Sequence, residues 1–210
     1  MSAARKLDLY KLHAAEYAAP RSPALIATKP GRYLTIAGSG DPNGPEFAEK
    51  VGALYAMAYT IKMGKKRMGR DYKVSGLEGL WWAVGGGAAM MARRRDEWRW
   101  KLLIRVPDFI KARCLSMAAQ LLLEKGKGKG VAAVKLERIA EGRCVQMLHI
   151  GPYAAEKTTV DAMLEFATAN GLRLTGRHHE IYLSDPRRVK PEKLRTILRH
   201  PVALRGPRRR

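Results

Sequence analysis

Apolar and polar positions along the chain change period several times, and the changes divide it into elements. Tyr33, Leu34 and Ile36 mark a first strand over about residues 32–38. The stretch 38–45 is a turn-rich connection; its glycines lack the spacing and the lysine of a phosphate-binding loop. Phe47, Val51, Leu54, Ala58 and Ile61 then recur at three- and four-residue steps, predicting a helix over 46–63 with Tyr55 and Tyr59 on a neighbouring face. Residues 72–84 read as a strand with Glu78, Leu80, Trp82 and Val84 on one face and Trp81 on the other. In the strand predicted over 97–106, Trp98, Trp100, Leu102 and Ile104 lie together, opposite Arg99, Lys101 and Arg105. These two strands form a hairpin across a long Gly/Met/Arg connection at 85–96. A helix over 107–125, a strand pair over 131–139 and 143–150, and a helix ending near 170 follow. The last elements are a strand within 178–186 and a short helix over 191–200, opened by Pro191 with Leu194, Ile197 and Leu198 turned inward. Residues 1–31 read as a leader, in which Leu7, Leu9, Tyr10 and Leu12 allow a short helical turn before Pro20, Pro23 and Pro30 impose extended chain, and 203–210 as a basic tail.

This order suggests an α+β domain over 32–202 built from two strand–helix–strand–strand modules, at about 32–106 and 131–185. A pseudo-twofold pair of antiparallel sheets, with helices on the outer faces, leaves a central ligand cleft lined by the faces opposite the helices. The stretch 178–186 dominates that picture. Ile181 and Leu183 alternate with His178, Glu180 and Tyr182, so an acid and a phenol share one face. A carboxylate in mid-strand must be solvated, paired or working, because burial without a partner is costly. An edge strand facing water is the plainer explanation; a cleft is the sharper one. All four tryptophans fall within residues 81–100, and Trp82, Trp98 and Trp100 are candidates to meet Glu180 and Tyr182 in an aromatic-walled pocket, with Tyr55 across from them. His149 shares a strand face with Met147 and Val145; such a histidine is more often a satisfied core residue, and it is retained as a candidate ligand contact.

Charge changes the picture less than its size suggests. The formal net charge is +21, which attracts polyanions, but the basic residues cluster in connections, helix ends and the tail. No helix-turn-helix pattern, zinc-finger spacing or aromatic RNA-binding motif accompanies them. A solvated surface with nonspecific nucleic-acid contact through the tail is the plainer account, and a nucleic-acid-associated protein acting through that tail is the rival one. Cys114 and Cys144 are two isolated cysteines in apolar context, read as core residues without a disulfide. No cofactor and no metal is expected. With no signal-peptide pattern and no membrane-length apolar run, a cytoplasmic protein without a membrane partner, a monomer or weak dimer, is expected.

Four motifs carry a resemblance over most of the chain: Glu78-Gly-Leu-Trp-Trp82, Trp98 to Pro107, Leu148-His-Ile-Gly-Pro-Tyr153 and His178 to Arg188. They resemble the GyrI-like small-molecule-binding proteins. The resemblance implies a tandem of strand–helix–strand–strand modules (the SHS2 module) around a cleft, and places Glu180 where multidrug-sensing members carry a ligand-binding glutamate. Stand-alone members with paired tryptophans are similar to hydrolases that open the cyclopropane of DNA-alkylating cyclopropanoid compounds, which implies xenobiotic detoxification. On that basis Glu180 and Tyr182 are the expected catalytic pair, with Glu180 activating water. Tyr55, Trp82, Trp98, Trp100 and His149 are the expected contacts to a bulky planar aromatic or cationic ligand. A non-catalytic multidrug-binding protein is the alternative.

Overall fold

The computed structural model describes residues 6–84 and 93–206, so most of the Gly/Met/Arg connection and Arg208–Arg210 of the basic tail lie outside the described residues. Nine strands form one antiparallel sheet: β1 (Ala24–Ala27), β2 (Gly31–Ser39), β3 (Leu77–Trp82), β4 (Arg99–Val106), β5 (Lys135–Ile139), β6 (Arg143–Ile150), β7 (Leu172–Leu174), β8 (His178–Tyr182) and β9 (Arg195–Leu204). Their order is β1-β6-β9-β8-β3-β4-β2-β5, with β7 paired to the end of β9. Three longer helices, α3 (Pro45–Arg67), α4 (Ala112–Glu124) and α5 (Glu156–Ala169), follow two short N-terminal ones, α1 (Leu9–Leu12) and α2 (Ala14–Tyr17).

The strand order contains its own symmetry. β2-α3-β3-β4 and β6-α5-β8-β9 are equivalent units, and each places its last strand between the other two. They join edge to edge where β3 pairs antiparallel with β8. Two modules in an α+β fold were legible from element order. The second, however, is completed by β9, in the segment expected as a helix over 191–200. Only Pro191–Lys193 makes a turn of 3₁₀ helix there. From Arg195 onward the chain lies between β6 and β8. Thr196, Leu198 and His200 face one side and Ile197 and Arg199 the other, all buried. Ladder hydrogen bonds on both edges outweigh the helical spacing of three leucine and isoleucine side chains.

Residues 6–31 are more than a leader: the short helical turn expected near Leu7–Leu12 is α1, and the chain beyond it adds α2 and a strand to the fold. Asp8 caps α1 through its carboxylate, 3.0 Å from the Tyr10 amide. β1 pairs with β6, and α1 and α2 place Tyr10 and Tyr17 against Ile181 and Ile197. The N-terminal segment is thus the helical layer on which Ile181 packs.

Residues opposite one another in paired strands share a face. Gly79 is opposite Glu180, which is opposite Leu198. One face of the sheet therefore carries Trp81, Trp100, Leu102 and Ile104 under α3 and α4, and Val145 and Leu198 under α5. The β3–β8 junction, with Glu180 on it, lies between these two cores on that same face. Glu180 therefore faces the helix side of the sheet, not the side opposite the helices. The other face carries Glu78, Arg105, Gln146, His179 and Arg199, roofed by the N-terminal segment.

Candidate functional site

Glu180 is 7 % exposed and sits in mid-strand β8 with no lysine or arginine bonded to it among the described residues. Its surroundings supply hydrogen bonds instead. Tyr182, two residues on and so on the same face, donates its hydroxyl to Glu180 Oε2 at 2.7 Å. Glu156, at the start of α5, is buried and reaches toward Glu180 from the neighbouring layer, with donor atoms of the two side chains within 4.8 Å. Two carboxylates this close in low dielectric cannot both ionise cheaply. Burial, then the adjacent charge of Glu180, push the Glu156 carboxyl well above the ordinary range.

His178 completes the cluster. Its Nε2 lies 3.3 Å from Glu180 Oε1 and its Nδ1 2.9 Å from His200 Nε2. Burial, then the neighbouring His178, drive the His200 pKa down to about 3, so His200 is neutral. Among the described residues, Glu156, His178 and Glu180 are the group whose oxygen and nitrogen atoms lie within 4.8 Å of one another and could hold a metal ion.

Tyr182 links this buried cluster to the surface. Beside it opens a pocket of about 370 Å³ lined by Tyr10, Tyr55, Tyr59, Val74, Leu183 and Tyr182, among others. Tyr55 and Tyr59 on α3 stack at 6.2 Å, and Tyr153, ahead of α5, meets Tyr182 edge-on at 5.8 Å. Burial and then the charge of Glu180 raise the Tyr182 pKa well above its ordinary value and that of Tyr153 to about 12, so both remain hydroxyl donors. The wall is made of phenols from both modules, with an acid pair behind one of them.

The expected tryptophan contacts divide differently. Trp82 is on the opposite face, packed with Tyr33, Leu80 and Leu103, and the Arg177 guanidinium covers its ring at 3.8 Å. It cannot share a cleft with Glu180. Trp100 is on the correct face but fully buried, its Nε1 donating to the Gly40 carbonyl and its ring edge-on to Phe47 at 5.0 Å. An added Cβ at Gly38 would fall 2.2 Å from that ring, so glycine is what lets the indole lie flat on β2. Trp98 is half-buried and meets Trp81 edge-on at 5.8 Å. His149 is bonded on both sides, Nδ1 to Thr159 Oγ1 at 2.9 Å and Nε2 to the Pro152 carbonyl at 3.2 Å, as a satisfied core histidine is.

Trp81, set aside by the single-strand reading, stands opposite His178 in the β3–β8 ladder. It is 3 % exposed, and its indole N–H has no hydrogen-bond partner. A Cβ on Gly79 would come within 2.6 Å of the Trp81 Nε1 and 3.2 Å of the Tyr182 hydroxyl. Gly79 thus makes room for both beside Glu180. His178 was detectable from its alternation with Glu180; Glu156 carried no local signal, since a helix brings it from the next layer.

The fold and this acid-and-phenol pocket define a paired-module small-molecule-binding protein. The chain belongs to the family described as the GyrI-like small molecule binding domain, whose family model matches residues 23–203. Among solved structures, an uncharacterized conserved protein from Listeria innocua is 42% identical over 94% of this chain and 100% of its own, with a TM-score of 0.88. A protein from the same organism described as a hydrolase is 41% identical over 94% of this chain and 100% of its own, with a TM-score of 0.84. The EcmrR C-terminal domain shares the fold at 12% identity over 88% of this chain and 98% of its own, with a TM-score of 0.60. No curated protein gives a significant match.

Proposed function

We propose that the pocket binds bulky planar aromatic compounds and hydrolyses the cyclopropane of cyclopropanoid DNA-alkylating agents, as xenobiotic detoxification. The observation that carries this reading is the hydrogen bond from the pocket-lining Tyr182 to the buried Glu180, which sets a carboxylate directly behind an aromatic wall. The similar Listeria innocua protein described as a hydrolase agrees with it.

In this mechanism Glu180 takes a proton from a water held beside Tyr182, and the water oxygen attacks the strained methylene carbon. The carbon–carbon bond to the ring system breaks, and its electron pair moves to the conjugated carbonyl oxygen, which is then protonated as a phenol. Tyr55 across the pocket is placed to donate to that oxygen as charge develops, and Tyr182 to hold Glu180 in position. Tyr59, stacked on Tyr55, supplies a flat wall, and such a stacked pair contributes about 0.5–1.5 kcal/mol beyond area burial. Incubating the protein with a cyclopropanoid compound and following its mass tests the reading: the expected product is the compound plus one water, formed catalytically. Recovery of unchanged compound, bound or free, would leave the alternative of a non-catalytic multidrug-binding protein.

A further inference from the structure

We propose that Glu156, His178 and Glu180 form a binding site for a divalent transition-metal ion of the zinc class. Two carboxylates and one imidazole are a donor set that zinc accepts, with bonds of about 2.0–2.2 Å. Around a tetrahedral ion with such bonds, neighbouring ligand atoms are about 3.4 Å apart. His178 Nε2 and Glu180 Oε1 are 3.3 Å apart, and all three donors lie within 4.8 Å of one another.

Two further observations point to a ligand. His178 Nε2 is buried without a hydrogen-bond partner, and so is Glu156 Oε1. Both atoms belong to side chains that are almost completely enclosed. The other ring nitrogen of His178 is held by His200 at 2.9 Å, the kind of outer contact that fixes a ligating imidazole. With the hydrogen on Nδ1, Nε2 turns a lone pair toward a carboxylate oxygen, an arrangement that a cation between them stabilises. The Tyr182 hydroxyl, 2.7 Å from the second oxygen of Glu180, marks the side open to the pocket.

Metal binding is read without any substrate, so it stands or falls separately from the hydrolysis above. Metal-stripped protein titrated with Zn²⁺ by calorimetry should bind one equivalent, and titration with Co²⁺ should develop the visible bands of a four-coordinate site. Zinc should raise the melting temperature. Glu156→Gln, which keeps the side-chain shape, should weaken Zn²⁺ binding at least tenfold and abolish the melting shift. His178→Gln should do the same. His13→Gln, at a partly exposed histidine elsewhere, should leave both unchanged. The proposal is overturned if the wild-type protein takes up no zinc, or if Glu156→Gln binds as tightly as wild type.

Discussion

Gly79 shows how narrowly single residues define the site. It is opposite Glu180 in the ladder, and its missing side chain leaves space that the Trp81 indole and the Tyr182 hydroxyl occupy. Gly79→Ala should displace Tyr182 from Glu180 and cost about 1–3 kcal/mol as overpacking. Denaturant unfolding reads the stability loss, and ligand affinity should fall with it. Unchanged binding in a stable variant would show that this contact does not shape the pocket. Residue-scale reading of the sequence found Glu180 and Tyr182 because period two is intrinsic to a strand. It chose Trp82 over Trp81 because the relation between two strands is set by their register, and no single strand carries that information. Glu78 illustrates the same point: an acid one residue from Gly79 ends on the opposite face, bonded to Tyr17 and His179.

At the scale of elements, the second face of the sheet ties the molecule together through charge. His179 on β8 bonds Glu78 on β3 at 3.1 Å and Glu141 at 2.9 Å, and Arg199 on β9 bonds the same Glu141 at 3.1 Å. Arg105 on β4 pairs with Glu16 of α2 at 2.8 Å. Burial opposes the charge on Glu141, but His179 and Arg199 outweigh it and hold its pKa at about 2. Burial likewise opposes charging His179, but Glu141 and Glu78 outweigh it and raise its pKa to about 9. A depressed carboxylate stabilises above its unfolded pKa, so the Glu141 contribution is lost as pH falls from about 4.5 toward about 2. A raised histidine stabilises below its unfolded pKa, so the His179 contribution fades as pH rises from 6.5 through about 9. Melting temperature against pH should fall on both sides of that window, and Glu141→Gln should flatten the acid side. An acid limb identical to wild type would remove Glu141 from the account. None of this network was legible in the sequence. It rests on buried histidine, arginine and acid side chains from α2, β3, β4, β8 and β9, which ordinary patterning assigns to solvent. The β9 segment reads as a helix in the sequence for a different reason, the three- and four-residue spacing of Leu194, Ile197 and Leu198 behind Pro191.

For the whole molecule, the legible part was the tandem of modules, because strand–helix–strand–strand order survives where identity between the halves is slight. The side of the sheet that forms the cleft was not legible, since it depends on which layers the helices and the N-terminal segment take. With α3 and α5 on one side and α1 and α2 on the other, the β3–β8 junction becomes the meeting point of both modules. Glu180 sits on that junction, hydrogen-bonded to the pocket-lining Tyr182. Among the described residues, no helix is long and apolar enough to cross a membrane. The measurement that tests the central claim most directly compares binding and turnover of one cyclopropanoid compound by wild type and Glu180→Gln. The account predicts that the variant retains affinity within a few-fold and loses at least a hundredfold in kcat, in line with the usual contribution of a general base. Undiminished turnover by Glu180→Gln would contradict it.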